Sequence, residues 1–177
     1  MTVALTRTPV LQTARLTLRA PAARDWPACR AMLRSARSRF MRKGAMTEGE
    51  AWRAFGHVIG HWVLRGFGMF TITARGDDAA LGMAGPWFPA GWPEGELAWS
   101  LWSAQAEGQG IAHEAVTATR SFAFSTLGWT SAVSYIDPDN ARSIALAARL
   151  GAVIDPDAAT PEGAPCTVYR HNATGEV

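Results

Sequence analysis

The sequence predicts a mixed fold, α/β or α+β, in which helices flank a mainly antiparallel central sheet. Short stretches with strand-like alternation and longer stretches with helical periodicity follow one another along the chain. In the middle, Phe70 to Thr73 and Ala80 to Gly85 flank the turn Gly76-Asp77-Asp78, a pattern that predicts a hairpin. No repeat, low-complexity tract or linker-like segment divides the 177 residues, so we expect one domain over residues 1–177.

The first third of the chain predicts a strand, a helix and a basic connection. Apolar and polar residues alternate from Leu16 to Arg19, as in a half-buried strand. Asp25 precedes Trp26-Pro27 as a candidate N-cap for a first helix that ends near residue 34. Residues 34–43 are basic and irregular, and they either contact a substrate or phosphate or form a solvated face.

A second helix is predicted to begin at Thr47, a candidate cap with acidic residues in the turn that follows. Apolar residues then share one helical stripe, which predicts a core face; they are Trp52, Phe55, Ile59, Trp62 and Val63. His57 and His61 lie one turn apart and could in principle hold a metal. Because no acidic or Cys ligand accompanies them, we expect ordinary helix histidines and no metal site.

Residues 86–93, Pro86-Trp87-Phe88-Pro89-Ala90-Gly91-Trp92-Pro93, are predicted to form an aromatic-rich loop. Exposed aromatic side chains on a loop either form one wall of a ligand site or cover an end of the core. The sequence leaves both interpretations open.

The second half of the chain predicts three strands and two helices. They are strands at Glu96 to Trp102, Ser131 to Ile136 and Ala164 to Arg170, and helices at Ile111 to Leu127 and Ala141 to Leu150. Asp139 or Asn140 caps the last helix, and Gly151 is expected to end it as a C′ residue.

Composition favours a protein with a substantial core. Hydrophobic residues make up 48% of the chain and charged residues 18%, below the usual share of about 25%. No apolar run approaches the roughly 18 residues that span a bilayer, and the N-terminus lacks a signal-peptide apolar region, so a cytoplasmic protein without a membrane partner is expected. Cys29 and Cys166 match no metal spacing; buried reduced thiols are expected, with a disulfide left open.

Charge is distributed unevenly along the chain. Residues 1–75 hold thirteen of the seventeen Arg and Lys residues with three acidic residues, whereas the remainder holds four basic and twelve acidic residues. Either a basic surface attracts a phosphate-rich cofactor or an acidic partner, or the two halves neutralise each other in the fold. No nucleic-acid-binding motif accompanies the basic half, so no nucleic-acid partner is expected.

The stretch Gln105 to Ala112 joins a predicted strand to the start of a predicted helix. Its two glycines, Gly108 and Gly110, let backbone N–H groups approach an anion, and the helix start adds partial positive charge. The stretch lacks the Lys-Ser/Thr of a P-loop and the third glycine of the dinucleotide fingerprint. It therefore indicates either a phosphate site of another kind or an ordinary tight turn.

Residues 96–151 contain several motifs in a specific order: Gln105-x-x-Gly108-x-Gly110, Ala112-His113-Glu114-Ala115-Val116, Asp137-Pro138-Asp139-Asn140-x-x-Ser143 and Leu150-Gly151. With the opening strand at 14–19, they resemble the GNAT superfamily of acyl-CoA N-acyltransferases, in particular its RimJ/RimL-type branch. The resemblance implies the GNAT fold and acetyl-CoA as co-substrate.

The resemblance also implies which residues bind the co-substrate. Backbone N–H groups of the glycine loop would hold the pyrophosphate, through Gln105, Gly108, Gln109, Gly110, Ile111 and Ala112. In the family, the strand before this loop diverges from the next strand and pairs with the pantetheine amides, which by position implies Leu101, Trp102 and Ser103. Asn140 resembles the family's pantetheine-binding Asn, although a helix cap is the alternative.

For catalysis, Glu96 at the start of the central strand is the candidate base that takes a proton from the amine, or else a carboxylate at a strand end in solvent. Many relatives carry a general-acid Tyr on the last helix, seven residues after the Asn, where this chain has Ala147. Ser143 is the alternative proton donor, or a plain cap of the helix start.

The resemblance implies an acetyl-CoA-dependent N-acetyltransferase in which a primary amine attacks directly in a ternary complex. The expected acceptor is a protein N-terminal amine, as in ribosomal-protein acetyltransferases. The alternatives are a small amine, such as a polyamine, an amino acid or an aminoglycoside, and a CoA-binding sensor without catalysis. The sequence leaves the oligomeric state open, with a homodimer as one option.

Overall fold

The computed structural model describes residues 4–41, 44–161 and 165–172, and within them the chain forms eight strands and four helices. The strands are β1 (Leu11–Gln12), β2 (Leu16–Arg19), β3 (Phe70–Ala74), β4 (Ala80–Trp87), β5 (Glu96–Leu101), β6 (Ser131–Ile136), β7 (Val153–Ile154) and β8 (Thr167–Asn172). The helices are α1 (Trp26–Leu33), α2 (Glu48–Arg65), α3 (Ile111–Ser125) and α4 (Ala141–Arg149).

The strands join in one sheet in the order β1-β2-β3-β4-β5-β6-β8-β7. Every neighbouring pair is antiparallel except β5 and β6, which run parallel. The mainly antiparallel sheet flanked by helices is therefore confirmed, and β3 and β4 form the predicted hairpin. Within the described residues, no helix is long and apolar enough to cross a membrane.

Local signals explain where α2 begins and ends. Thr47 Oγ1 accepts from Glu50 N at 3.3 Å, and the Glu50 carboxylate accepts in return from Thr47 N at 2.8 Å. This reciprocal capping satisfies backbone donors at the helix start. At the other end Gly66 has a φ of 77°, a left-handed conformation that glycine adopts without the steric cost of a Cβ.

Asp25 is the N-cap residue of α1, as predicted, but its side chain makes no capping hydrogen bond to this helix. The buried carboxylate accepts from Arg19 Nη1 and Nη2, both at 2.8 Å, and from Thr71 Oγ1 at 3.0 Å. It also accepts from Ala22 N at 2.9 Å. Asp25 therefore joins β2 and β3 to the start of α1. An unpaired buried carboxylate would cost more free energy than an uncapped helix start, so the side chain pairs with Arg19.

The core has two main clusters. In one, Leu16 and Phe70 from the sheet pack with Val116 of α3 and Leu146 of α4. In the other, residues of α1 and α2 pack with Met83 of β4. Met83 and its neighbour Ala84 belong to different clusters, and successive residues of a strand point to opposite faces. Helices α1 and α2 therefore cover one face of the sheet, and α3 and α4 cover the other.

Several predicted boundaries and exposures need correction. On α2, Phe55 and Trp62 are buried as predicted, but Trp52 and Val63 are 60% and 68% exposed, because only part of the stripe meets the sheet. Strand β4 continues through Pro86 and Trp87, which were expected in a loop. Pro86 lies two residues beyond the last β3–β4 pair, so its missing N–H removes no bond to β3.

The remaining differences lie at element ends. Helices α1, α3 and α4 each stop one or two residues before the predicted end, as terminal turns tighten. The closing strand is Thr167–Asn172 rather than 164–170, and Ala164 lies outside the described residues, as do Arg42 and Lys43 of the basic connection. The short strands β1 and β7 were not predicted, since two-residue strands carry no periodicity. Cys29 and Cys166 are both free.

Candidate active site

The parallel strands β5 and β6 separate soon after they meet. Their register contains one pair, Glu96 with Val133, and Val133 N donates to the Gly95 carbonyl at 3.0 Å. One residue further along, the Ser134 hydroxyl donates to the Leu97 carbonyl at 2.6 Å. Here a side-chain donor replaces the backbone N–H that would continue the ladder between β5 and β6. Beyond this point the described residues supply no strand partner on this side of β5, and its backbone faces a gap.

A cavity of about 730 Å³ lies at this gap, a size typical of small-molecule sites. Its lining comes from both faces of the sheet. Leu33 of α1 and Phe55 of α2 contribute from one face, and Ser143 of α4 contributes from the other. The gap between β5 and β6 is therefore a place where two ligands could meet from opposite sides.

Glu96 lines this cavity at the point where the strands part. Its carboxylate accepts from Trp92 Nε1 at 2.8 Å and from the backbone N–H of Tyr135. Burial nevertheless raises the pKa of Glu96 to about 7, because these two donors only partly replace lost hydration. A carboxylate that titrates near neutral pH is suited to accept a proton, which favours the predicted base over a solvated strand end.

Ser143 and Asn140 also line the cavity, at the start of α4. Ser143 Oγ accepts from Trp99 Nε1 at 3.2 Å, which leaves its own hydroxyl proton for another acceptor. The side-chain oxygen of Asn140 accepts from Ser143 N at 3.3 Å, so the capping alternative for Asn140 is present in the structure. A cap does not prevent its amide N–H₂ group from contacting a ligand.

Tyr135, which sequence reasoning missed, lines the same cavity. Its hydroxyl is buried and, within the described residues, accepts and donates no hydrogen bond of normal geometry. Burial raises the pKa of Tyr135 to about 12, and the nearby Glu94 and Glu96 carboxylates add to the shift. This hydroxyl therefore keeps its proton at neutral pH. The alternating pattern of β6 predicts only that Tyr135 and Val133 share a face.

The glycine loop leads directly into α3. Gly108 and Gly110 have φ values of 73° and 75°, which favour glycine over any residue with a Cβ. Gly110 is the N-cap, no side chain caps the helix, and the first intrahelical bond runs from Glu114 N to the Gly110 carbonyl at 3.0 Å. The N–H groups of residues 111–113 therefore precede the helical ladder and are suited to bind an anion.

Arg15 and Glu114 hold this loop against the first strands. Arg15 Nη1 donates to the Gln109 carbonyl at 3.0 Å, and Arg15 Nε pairs with the Glu114 carboxylate at 2.6 Å. The Glu114 carboxylate also accepts from Thr13 Oγ1 at 2.5 Å. The segment just before β2 and the start of α3 are distant in sequence, and these contacts join them. The residues before β2 thus help to position the glycine loop.

The structure corrects the expected backbone contacts at the end of β5. Trp102 N and Ser103 N both donate to the Leu81 carbonyl, at 2.8 and 3.4 Å, so these two N–H groups face β4 and not the gap. Alternation along the strand turns the backbone of Trp99 and Leu101 toward the gap instead. The Leu101 carbonyl accepts from Arg37 Nη2 at 3.1 Å, which confirms its direction.

Glu107, directly before Gly108, forms ion pairs with two arginines at the glycine loop. Its carboxylate pairs with Arg37 Nη2 at 2.5 Å and with the guanidinium of Arg142 on α4. Gln105 lies in the preceding 3₁₀ turn, where its side chain accepts from Ser103 Oγ at 2.6 Å. Two arginines therefore flank the uncapped start of α3, and the sequence did not predict that Glu107 joins them there.

His61 is a structural residue. Its Nδ1–H donates to the Phe67 carbonyl at 2.8 Å, its Nε2 accepts from Phe88 N at 2.9 Å, and its ring stacks on Trp87 at 4.5 Å. Both ring nitrogens are thus used, and burial lowers the pKa of His61. Of the predicted aromatic loop, Trp87 and Trp92 line the cavity, which favours the ligand-wall interpretation. Among the described residues no three His, Cys, Asp or Glu side chains group as metal ligands.

Comparison with protein families and solved structures agrees with this geometry. The family described as acetyltransferase (GNAT) domain matches residues 15–153. No curated protein sequence matches the chain. An acetyltransferase from Agrobacterium tumefaciens has a similar structure, with a TM-score of 0.87, 35% sequence identity, and coverage of 96% of this chain and 98% of that one.

Two further solved structures are more distant. A GNAT-family acetyltransferase from Bordetella pertussis has a TM-score of 0.74 and 26% identity, and the match covers 92% of this chain and 99% of that one. RimL, a ribosomal L7/L12 alpha-N-protein acetyltransferase in complex with coenzyme A, has a TM-score of 0.69 and 19% identity, with coverage of 93% and 98%. At 19% identity the likeness shows a shared fold.

Proposed function

The chain belongs to the GNAT acetyltransferase family, and we propose that it transfers an acetyl group from acetyl-CoA to a primary amine in a ternary complex. The observation that carries the proposal is the gap between β5 and β6. There a carboxylate with a pKa near 7, Glu96, lies at the start of β5, and the far end of the same strand leads to the uncapped start of α3. Between them, the described residues supply no strand partner for β5 on the β6 side. A base at one end of a strand and an anion site beyond its other end suit amine acetylation by a CoA thioester, whose reactive carbonyl and pyrophosphate lie at opposite ends of a long arm.

Acetyl-CoA supplies an activated thioester, and the residues at the gap suit its chemical parts. The N–H groups of Gly108 to His113 would bind the pyrophosphate at the positive end of α3. The backbone of Trp99 and Leu101 would pair with the pantetheine amides, because this part of β5 pairs with β4 on one side and has no strand partner on the β6 side among the described residues. Asn140 would contact the same arm from the start of α4.

Glu96 and Ser143 act from opposite sides of β5 in this proposal. Glu96 accepts one proton from the protonated amine, and the neutral nitrogen forms a bond to the acetyl carbon. As the carbon–sulfur bond breaks, the nitrogen loses a second proton and the departing sulfur gains one from the Ser143 hydroxyl, which is reprotonated by the proton that the nitrogen released. The products are an amide, the CoA thiol and a protonated Glu96. Tyr135, which keeps its proton at neutral pH, is the alternative donor.

The acceptor belongs to one of two chemical classes. One is a protein N-terminal amine, the acceptor class named for RimL, and the order of motifs in residues 96–151 supports a RimJ/RimL-like member. The other is a small amine, which a cavity of about 730 Å³ between helices and sheet favours.

Calorimetry with a charge-bearing loop variant tests the co-substrate site. Gly108→Asp puts a carboxylate where the pyrophosphate would lie, and Gly76→Asp is the matched control. Both glycines have φ values between 73° and 79° and open space where a Cβ would lie, but Gly76 lies in the β3–β4 turn. We expect Gly108→Asp to weaken CoA binding at least about tenfold while Gly76→Asp leaves it unchanged.

Release of the CoA thiol in the presence of amines tests catalysis. Turnover above the amine-free rate supports an acetyltransferase. Tight CoA binding without turnover on any amine would instead favour a CoA-binding sensor. Equal CoA affinity in the wild type and in Gly108→Asp would contradict the assignment of the loop.

A further inference from the structure

From the lining of the cavity we infer the acceptor: a small primary amine that carries a flat, apolar or aromatic body and a single positive charge. This inference rests on the proposed function, and it narrows the acceptor to one chemical class.

The part of the cavity on the α1 and α2 face is where the acceptor would lie. Trp99 packs with the core cluster of α3 and α4, whereas Ser100 pairs with Met83, which belongs to the α1 and α2 cluster. Even-numbered residues of β5, Glu96 included, therefore face α1 and α2. Ser143 on α4 faces the other side, so the amine would reach Glu96 from the α1 and α2 face.

This part of the cavity is mostly apolar. Its lining there includes large aromatic and aliphatic side chains, namely Leu33, Phe40, Phe55, Val58, Met83 and Trp87. The polar lining residues on the same side are Arg39, His57, Glu96 and Ser100. The Trp87 ring is held rigidly, because it stacks on His61 at 4.5 Å and meets His57 edge-on at 4.9 Å. Rigid aromatic faces bind flat apolar groups at little cost in side-chain entropy.

Trp92 and Trp102 of the lining offer ring surface and not indole hydrogen bonds. Trp92 Nε1 donates to Glu96 at 2.8 Å, and Trp102 Nε1 donates to Ser100 Oγ at 3.2 Å. Their indole donors are thus already used inside the protein. A peptide acceptor would bring several amide groups into this space, and most of them would lose hydration against apolar side chains.

Charge in the cavity suits one amine and no more. Among the described lining residues, the carboxylates are Glu96 and Asp137, and Asp137 already accepts from Asp139 N at 2.8 Å in the turn before α4. Arg39 and His57 line the α1 and α2 side. A polyamine or aminoglycoside would place further cations against Arg39, on the side of the cavity where Glu96 is the carboxylate among the described lining residues.

A panel of amines with saturating acetyl-CoA tests the inference through CoA-thiol release by the full chain. The aromatic monoamines are 2-phenylethylamine and tryptamine; the comparison compounds are spermidine, kanamycin and hexapeptides that begin with Ser or Ala. We expect kcat/KM for an aromatic monoamine to exceed that of every comparison compound at least about tenfold. Spermidine, kanamycin or a peptide as the best substrate would overturn the inference and leave acetyl transfer standing.

Calorimetry with tryptamine added to the CoA-bound protein separates this inference from the proposed function. If no amine is turned over but tryptamine binds and spermidine does not, the result supports the inferred acceptor class and contradicts the proposed acetyl transfer. If tryptamine neither binds nor reacts, the inference is overturned.

Two valines of α2 provide a matched pair of variants. Val58 lines the cavity and Val63 is 68% exposed on the same helix, so Val58→Asn and Val63→Asn make the same chemical change in the two settings. We expect Val58→Asn to raise KM for the aromatic monoamine about tenfold without changing KM for acetyl-CoA. Val63→Asn should change neither, and an unchanged amine KM in a folded Val58→Asn variant would contradict the inference.

Discussion

At the scale of single residues, Glu96 is the side chain on which the proposed chemistry depends most directly. Its environment combines burial, which raises its pKa, with two hydrogen-bond donors that hold the carboxylate in one orientation. The opposing effects leave a group that titrates near pH 7, where the ionised form is still basic enough to take a proton from an amine.

The first prediction is that Glu96→Gln lowers kcat/KM by about 100-fold or more, because the variant cannot accept a proton. In the wild type, Glu96 must be ionised to act, so kcat/KM should rise with pH through about 7, the pKa of Glu96. The variant should lose this rise. Glu94→Gln is the control, since Glu94 pairs with Arg170 at 2.7 Å and should not affect the profile. A rise that persists in Glu96→Gln would exclude Glu96 as the base.

The second prediction concerns Asp25, whose carboxylate is buried and paired with Arg19. Asp25→Ala should reduce the free energy of unfolding by about 3–5 kcal/mol, because it leaves the Arg19 guanidinium without its buried partner. Asp78 pairs with the same Arg19 side chain but is 57% exposed, and Asp78→Ala should cost less than about 1 kcal/mol. Urea denaturation of both variants measures the difference. Equal costs would show that burial does not distinguish the two pairs.

At the scale of elements, a buried network sets the point where β5 and β6 separate. The Ser134 hydroxyl donates its one proton to the Leu97 carbonyl, so its oxygen accepts from His171 Nε2–H at 3.0 Å. The network joins β5, β6 and β8 where the backbone ladder between β5 and β6 ends. His171 Nδ1 is then an acceptor without a partner among the described residues.

The third prediction is a loss of stability in mild acid through His171. Burial and the Arg120 charge lower the pKa of His171 to about 4, whereas an unfolded histidine titrates near 6.5. The unfolded chain therefore binds a proton first as pH falls, and the free energy of unfolding should drop by about 3 kcal/mol between pH 6.5 and 4. His61, also held neutral by burial, acts in the same direction.

Denaturant titrations across this pH range, with the His171→Asn variant alongside, measure the effect. Asparagine can still donate toward Ser134 but does not titrate. The variant should therefore be less stable at pH 7 and should show a shallower slope below pH 6.5. An identical slope in both proteins would assign the acid sensitivity to other groups.

At the scale of the whole molecule, ion pairs between the basic and the acidic half of the chain neutralise part of its uneven charge. Arg15 pairs with Glu114, Arg37 with Glu107, and Arg24 with Asp78 at 2.5 Å. This favours mutual neutralisation over a single basic surface. Two of these pairs lie at the glycine loop, so the same charges also shape the anion site.

The fourth prediction follows from the way the proposed site joins distant parts of the chain. A ligand that contacts β5, the start of α3 and the start of α4 stabilises the folded protein in proportion to its occupancy. At about 100 times its Kd, CoA should add about 2.7 kcal/mol, which corresponds to a rise in Tm of roughly 5–10 °C for a chain of this size. Differential scanning calorimetry with and without CoA measures this. An unchanged Tm would contradict the proposed binding site.

The sequence by itself determined the order of strands and helices, the hairpin, the α2 cap and the glycine loop, because these depend on periodicity and on turn residues that act locally. It also placed Glu96 at the start of the central strand, but not its burial.

Only the tertiary structure decided which side chains and backbone groups meet. It turned Trp102 N–H away from the gap, brought Arg37 to Glu107 and buried the Tyr135 hydroxyl beside Glu96. Such contacts join residues far apart in the chain, and a one-dimensional pattern carries no distance between them. The pKa of Glu96 near 7 and the apolar lining of the cavity both depend on the side chains packed around them. Neither property can be read from the identity of a single residue.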